Sequence, residues 1–187
     1  SVTQGQGHET TFKQLVCDQL GLDPNEVRYV QGDTDDVFFG EGTGGSRSAT
    51  MAGSAFAMAT QKIIAKARLI AAHALKVAAD DVKFADGVFS SSKTNQTMTI
   101  QEVAADAANP AKIPKDMEPG LIATAVYKAP VNNYPNGCHV CEVEIDLETG
   151  VPEIVRYSVI DDVGTMLNPL LVHGQVQGGI AQGAGQA

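Results

Sequence analysis

Three short segments of the sequence carry residues that could bind a flat ligand with an anionic group. One is a small-residue turn, residues 42–49 with the sequence GTGGSRSA, which opens the longest helix-forming stretch of the chain. The first N–H groups of a helix lack partners and lie at the positive end of its dipole, so such a turn suits a phosphate. The others are glutamine–glycine segments, residues 5–8 (GQGH) and 174–179 (GQVQGG), whose amides offer a donor and an acceptor close to the backbone. We expect the three segments to form walls of one ligand site.

Two nucleotide-binding motifs are only superficially similar to the turn at residues 40–46. A Walker P-loop needs Lys directly after its last glycine, whereas Ser46 stands there and Arg47 follows. A dinucleotide fold needs a hydrophobic strand before the glycines and an acidic residue about 20 positions later. Val37-Phe38-Phe39 is a short strand at best, and lysines occupy the later region. We set both motifs aside, and an ordinary serine-capped helix start stays open as the alternative.

Metal-ligand spacing is absent from the sequence, and no metal-ligating residues are predicted. The His8-Glu9 pair would need a second histidine at residue 12 to begin a zinc-protease helix, and residue 12 is Phe. Cys138 and Cys141 would point to opposite faces of a strand, and no second cysteine pair completes four ligands. Cys141 is expected to be a small core residue.

The acidic pair Asp161-Asp162 follows an apolar run and precedes a Val-Gly turn. Such a position is common both for site carboxylates and for Asx turns, so both interpretations stay open. A Ser-His-Asp arrangement is not assembled, because four histidines and many serines allow too many combinations.

Composition limits the class of protein. A net charge of −9 argues against nucleic acid as partner, because binding a phosphate backbone needs a basic face. An acidic chain can hold one phosphate only by local donors, so we expect the ligand to be buried and pre-placed. No apolar run is long enough to span a membrane, and the first residues do not resemble a signal peptide. Three cysteines fit a reducing compartment, which predicts a cytoplasmic location.

The elements that must position these segments alternate between helices and strands. Helical spacing and cap residues predict helices over residues 10–20, 49–77, 100–108 and 169–185. The first half of the long helix, residues 51–59, is expected to be buried, and the half with Lys62, Lys66 and Arg68 to have an exposed face. Strands are predicted at residues 27–30, 81–84, 88–89, 121–128, 138–146 and 151–160.

Three prolines make residues 109–120 an irregular connection and the best place for an internal boundary. The fold class predicted from this order is α+β, with two βα-type halves, residues 1–109 and 120–187.

Several segments, read in chain order, resemble those of one family. The family is the molybdenum-binding large subunit of the xanthine dehydrogenase, aldehyde oxidase and carbon monoxide dehydrogenase group. The resemblance covers nearly all 187 residues and depends on the order and separation of the segments. They are residues 5–10 (GQGHET), 44–48 (GGSRS), 136–146 (NGCHVCEVEID), 161–164 (DDVG) and 168–185.

The resemblance implies that both halves belong to one molybdopterin-binding unit of a molybdenum hydroxylase. Such an enzyme inserts a water-derived oxygen into a small substrate, which leaves aldehydes, heterocycles and carbon monoxide open. The cofactor is molybdopterin, often as its cytosine dinucleotide, and 2Fe-2S clusters and FAD on partner subunits or domains receive the electrons. The resemblance places Gln6, Gly45, Ser46, Arg47, Ser48 and Gln175 at the pterin, its phosphate and the oxo ligands of the metal.

The resemblance also implies that residues needed for turnover lie outside this chain. The catalytic base of the family is a glutamate in a Gly-rich motif, expected beyond residue 187, and the upstream half of the cofactor domain is missing too. We therefore expect the chain alone to be inactive. Two alternatives are a non-catalytic scaffold domain that has lost the cofactor, and a stand-alone module that binds small phosphates.

Overall fold

A computed structural model describes residues 1–37, 40 and 42–187. The predicted short strand at Val37-Phe38-Phe39 and the side chain of Glu41 fall wholly or partly outside these described residues. The chain divides into two compact units, residues 1–130 and 131–187. Helices and small antiparallel sheets make up both units, which confirms the predicted α+β class.

The first unit packs three helices and a small sheet. In chain order the elements are α1 (His8–Leu20), α2 (Ser48–Leu75), β1 (Val82–Ala85), β2 (Val88–Ser91), β3 (Gln96–Thr99) and α3 (Ile100–Ala107), with short 3-10 turns at Pro24–Glu26 and Ala79–Asp81. The strands pair antiparallel in the order β1-β2-β3. Thr99 forms a capping box with Glu102 at the start of α3, so strand and helix follow one another directly.

The core of this unit lies where the second half of α2 meets the sheet and α3. Phe89 of β2 and Val103 of α3 are fully buried, and so is Ile70 of α2. Small residues on α2, including Ala67 and Ala71, let the neighbouring elements approach closely. The predicted helices over residues 10–20, 49–77 and 100–108 are confirmed, and α2 is a single helix.

A glycine pair joins the end of α1 to the β1–β2 turn. Gly21 caps α1 with φ 65° and donates its N–H to Cys17 O at 2.8 Å. A Cβ on Gly21 would overlap the backbone of Gly87, which lies in the β1–β2 turn. The predicted helix end at Gly21 is therefore confirmed, and the glycine is needed both for its conformation and for this close approach.

The expected burial of α2 is wrong in its distribution. Residues 51–59 are mostly half-buried, and only Gly53 among them is buried. This half packs against α1, with Gly53 facing Leu15 and Phe56 against Phe12, whereas the sheet and α3 cover residues 67–75. One packing partner removes less surface from water than two, which explains the difference.

Three strand assignments from the sequence also differ from the structure. Residues 27–30 and 121–128 form no strand, and β3 was not predicted. Lysines of α2 bond the backbone of the second segment: Lys62 Nζ donates to Thr124 O at 2.8 Å and Lys66 Nζ to Gly120 O at 2.6 Å. Those carbonyls are satisfied by side chains instead of a neighbouring strand.

The second unit is a hairpin followed by one helix. It comprises β4 (Asn136–Ile145), β5 (Pro152–Asp162) and α4 (Pro169–Ala184). Both predicted strands, their turn at residues 147–150 and the helix start at Asn168-Pro169 are confirmed. The Asp146 carboxylate accepts the N–H groups of Glu148 and Thr149, and these hydrogen bonds lower the pKa of Asp146.

The hairpin exposes apolar side chains on both faces. Val140 is 59% exposed on one face and Val143 is 48% exposed on the other. Cys141 is exposed as well, so the expectation that it is a core residue is wrong for this unit. The apolar pattern of a strand predicts which of its side chains can be buried. Whether they are buried depends on another part of the structure packing over that face.

Candidate functional site

The turn before α2 has an unusual backbone. Gly45 and Ser46 both lie in the left-handed region, with φ 59° and 52°. Arg47 then precedes Ser48, the first residue of the helix, and the Arg47 side chain makes no capping hydrogen bond within the described residues. The first N–H groups of α2 are therefore not capped by that side chain. Left-handed geometry at a non-glycine residue costs about 1–2 kcal/mol, which is typical of ligand-binding turns.

Hydrogen bonds hold this turn against the N-terminal segment. Thr43 Oγ1 donates to Val2 O at 2.7 Å, and Ser48 Oγ donates to Thr43 Oγ1 at 3.1 Å. Arg47 Nη2 donates to Gly42 O at 2.9 Å. The Thr43–Val2 bond thus brings the turn next to the N-terminal segment, at a residue three positions before the glutamine–glycine segment begins.

Gln6 lies in a tight loop between two glycines with positive φ, Gly5 (101°) and Gly7 (76°). Its Oε1 accepts from the backbone N–H of Gln4 and from Thr3 Oγ1, the latter at 3.2 Å. Because the oxygen is bound within the loop, the Nε2 donors are the end with which Gln6 can reach a ligand.

An aromatic cluster supports the loop from the protein side, and the sequence analysis missed it. His8 is buried, its ring centroid lies 5.3 Å from that of Phe12, and Phe12 lies 5.3 Å from Phe56 of α2. Tyr29 completes the cluster, and burial together with the charge of Glu9 raises its pKa. Tyr29 OH donates to Gln31 Oε1 at 2.7 Å, and His8 Nδ1 lies 3.4 Å from the same oxygen. The signal in the sequence was weak, because Tyr29 and Phe56 lie 17 and 44 positions after Phe12.

The third predicted wall lies in the second unit. Gln175 is exposed on α4, seven residues into the helix. Glycines surround it, and a Cβ added at Gly174, Gly178 or Gly179 would meet no other atom of the described chain within 4 Å. This side of α4 is therefore open to a ligand or to another segment.

The second unit also contains a cavity of about 500 Å³. The hairpin contributes His139, Cys141 and Val143 from β4 and Tyr157 from β5, and α4 contributes its glycine-containing side. Those three residues of β4 share one face, as the predicted alternation requires. Asp161 and Asp162 lie at the end of β5, where Asp162 Oδ1 accepts the N–H of Gly164 at 2.9 Å in an Asx turn.

The donor set at the turn fits an anion. The helix N–H groups can donate to phosphate oxygens, the hydroxyls of Ser46 and Ser48 lie in the same turn, and Arg47 supplies the nearby positive charge. In the described part of the chain, histidine, cysteine and carboxylate side chains form no cluster of three or more that could hold a metal ion directly. None of the described helices has the length and apolar character needed to cross a bilayer.

The chain is similar to known proteins over nearly its whole length. A family model described as "Molybdopterin cofactor-binding domain" matches residues 1–187. The carbon monoxide dehydrogenase large chain of Hydrogenophaga pseudoflava is 39% identical over 98% of this chain and 23% of its own length. Subunit gamma of the 6-hydroxypseudooxynicotine dehydrogenase complex of Paenarthrobacter nicotinovorans is 37% identical over 98% of this chain and 23% of its own. The crystal structure of the Cu,Mo-CO dehydrogenase in its carbon monoxide reduced state matches with a TM-score of 0.86 and 40% identity, over 96% of this chain and 22% of that one. This chain therefore spans about a quarter of the length of the curated relatives it matches.

Proposed function

The chain belongs to the molybdopterin cofactor-binding domain family, and from this premise we propose that it is part of a molybdenum-dependent oxidoreductase and binds the cofactor through the turn at residues 42–48. The observation that carries the proposal is the left-handed turn at Gly45-Ser46, which opens α2 and is bonded to the segment that carries Gln6. The family match, which covers the whole chain, supports the choice of ligand.

Each predicted residue has a distinct role in this proposal. The N–H groups at the start of α2 bind the phosphate together with the hydroxyls of Ser46 and Ser48, and Ser48 turns its proton from Thr43 to the ligand to do so. Arg47 contributes charge, and Gly45 leaves open space where a side chain would stand, since an added Cβ there meets no described atom within 4 Å. Gln6 Nε2 and the Gln175 amide donate to the pterin or to the oxo groups of the metal. When bound, the molybdopterin supplies the two-electron chemistry of the metal; the residues of this chain bind and orient it.

The same proposal includes the chemical form of the cofactor and the partner groups that receive its electrons. We propose the cytosine dinucleotide form of molybdopterin, with electrons passing to 2Fe-2S and FAD groups on partner subunits or domains. The support is the likeness to subunits named as parts of larger complexes, such as the large chain and subunit gamma above. The substrate is a small molecule, and the names of the relatives keep both carbon monoxide and heterocycles open. Extraction of the native protein and mass analysis of the released nucleotide identify the pterin form.

Residues outside this chain are needed for turnover in this proposal. The exposed apolar hairpin is consistent with a longer protein, because Ile160 is 80% exposed and Val140 59% exposed, which is unfavourable in water. We propose that the remainder of the subunit covers these side chains, that residues 1–109 and 120–187 serve one cofactor site, and that the catalytic base lies beyond residue 187. The chain alone is expected to show no hydroxylase activity, and substrate turnover by the purified 187-residue chain would contradict this.

We also propose a cytoplasmic location. The three cysteines are free, and Cys138 and Cys141 are exposed, which suits a reducing compartment. Fractionation of the source cells, with the subunit detected by antibody, tests this; recovery from an oxidising compartment would contradict it.

The cofactor proposal is tested by serine substitutions in the complete protein. Ser46→Ala with Ser48→Ala should lower molybdenum and organic phosphate per chain, because each hydrogen bond to a charged phosphate contributes about 1.5–3 kcal/mol. Ser92→Ala, at an exposed turn between β2 and β3, is the matched control. Elemental mass spectrometry measures both elements. Full molybdenum content in the double variant would remove the serines from the site, and a native protein without molybdenum or phosphate would favour the scaffold alternative.

A further inference from the structure

A hydrogen-bonded group on the β4–β5 hairpin has no role in the site proposed above. His139 of β4 lies between two partners on β5: its Nδ1 is 3.0 Å from Tyr157 OH and its Nε2 is 3.2 Å from Asp161 Oδ1. The His139 and Tyr157 rings meet edge to face, with centroids 5.8 Å apart. A carboxylate only accepts, so in the neutral imidazole Nε2 carries the proton and Nδ1 accepts from the tyrosine hydroxyl. Both ring nitrogens are thus used, which fixes the orientation of the ring.

The carboxylate of Asp161 is held from a second side by the backbone of Gly137. The two residues are opposite each other in the hairpin. A Cβ on Gly137 would overlap Asp161 Oδ1 and would lie 2.6 Å from Ile160 O. The carboxylate therefore occupies the space that a side chain at residue 137 would take, and His139 bonds it in that place.

Asp161 stands at the start of the connection that leads to α4. The next residue, Asp162, accepts the N–H of Gly164 at 2.9 Å, and Asn168 Oδ1 accepts the N–H of Leu171 at 3.1 Å to cap α4. Only residues 165–167 separate these two bonded turns. Asp161 therefore lies directly before the turn that begins the connection to α4.

We propose that His139 is a positioning residue: through its bond to Asp161 it holds the start of the 161–168 connection and so orients α4, the helix that carries Gln175. The link to the cofactor rests on the proposed function above, whereas the effect on the connection does not. His139, Cys141 and Tyr157 line the cavity of this unit, and the side of α4 that lines it presents Gly, Ala and Ile.

Two amide substitutions separate the two contacts of the ring. The side-chain nitrogen of Gln reaches about as far from the backbone as Nε2 of His, and that of Asn about as far as Nδ1. His139→Gln in the complete protein therefore keeps a donor for Asp161 and loses the bond to Tyr157. His139→Asn keeps a polar group near Tyr157 and loses the bond to Asp161.

Hydrogen–deuterium exchange of peptides covering residues 161–172 reports the result. His139→Asn should speed exchange there by about 2- to 5-fold, the range for losing one half-exposed hydrogen bond, whereas His139→Gln should stay at the wild-type rate. Peptides covering the turn at residues 146–150 are the internal control and should not change. Equal exchange in the two variants, or faster exchange in His139→Gln alone, would overturn the proposal.

A second variant addresses Asp161 without touching the histidine. Gly137→Ala should displace the carboxylate and speed exchange in the same peptides, and unchanged exchange would overturn the proposal. The molybdenum content of the His139 variants tests the link to the cofactor separately. Lower molybdenum in His139→Asn, with normal content in His139→Gln, supports the role of α4. Normal molybdenum in both, with the exchange difference retained, removes Gln175 from the cofactor site and leaves the positioning of the connection intact.

Discussion

The bond between Thr43 and the N-terminal segment provides a direct test of how the candidate site is assembled. Thr43 Oγ1 donates to Val2 O at 2.7 Å and accepts from Ser48 Oγ at 3.1 Å, so one hydroxyl joins the turn, the start of α2 and the segment with Gln6. Thr43→Val keeps the shape of the side chain and removes both bonds.

The expected loss is local. Each hydrogen bond contributes about 0.5–1.5 kcal/mol net, and the lower half of that range applies because the surroundings of Thr43 are partly exposed. Two bonds then give about 1–2 kcal/mol, a factor of about 5–30 in the population of the assembled site. The core of the first unit lies elsewhere, so the urea midpoint should hardly change.

The assay compares cofactor retention with stability in the complete protein. Thr43→Val should lose molybdenum and organic phosphate about 5- to 30-fold faster during dialysis than the wild type. Thr97→Val, on exposed strand β3, is the control for a threonine hydroxyl outside the site. Equal cofactor loss in Thr43→Val and Thr97→Val, with both proteins folded, would refute the reasoning that this bond assembles the site.

Two further predictions concern stability. Gly21→Ala should lower the free energy of unfolding of the first unit by about 2–4 kcal/mol, because Gly21 has φ 65° and an added Cβ overlaps the Gly87 backbone. Urea unfolding measures the effect, and Gly44→Ala, where an added Cβ meets open space, is the control. Equal urea midpoints for the two variants would contradict the close approach of Gly21 and Gly87. In the folded protein the pKa of the Asp146 carboxylate is below its ordinary value of 3.8. The ionised carboxylate therefore stabilises the β4–β5 turn fully above pH 3.8, and this stabilisation is lost as the pH falls through the pKa of the folded state. Exchange at Glu148 and Thr149 should therefore rise in acid relative to Asp146→Asn at the same pH, and parallel profiles for the two proteins would contradict this.

Local signals in the sequence predicted most of the helices and the hairpins. Gly21 and Asn168-Pro169 each act through their own backbone neighbours, so the end of α1 and the start of α4 could be predicted without knowing the fold. The run at residues 121–128 was assigned wrongly because a strand requires a neighbour, and the lysines of α2 bond that backbone instead. The burial of α2 was misplaced for a similar reason, since burial depends on what covers a helix.

In the candidate site, too, features set by neighbouring residues could be predicted from the sequence, and contacts between distant residues could not. The sequence by itself determined the small-residue turn, the glutamine–glycine segments and the family to which they belong, because these depend on residue type, spacing and order. Only the tertiary structure decided that Thr43 bonds Val2, that an aromatic cluster supports the Gln6 loop, and that His139 bonds Asp161. The physical reason is that backbone caps and turns act over a few residues, whereas the contacts of Thr43 with Val2, of Phe12 with Tyr29 and Phe56, and of His139 with Asp161 join residues 17 to 44 positions apart. Such distant contacts exist only once the packing of the helices and the register of the strands bring the partners together.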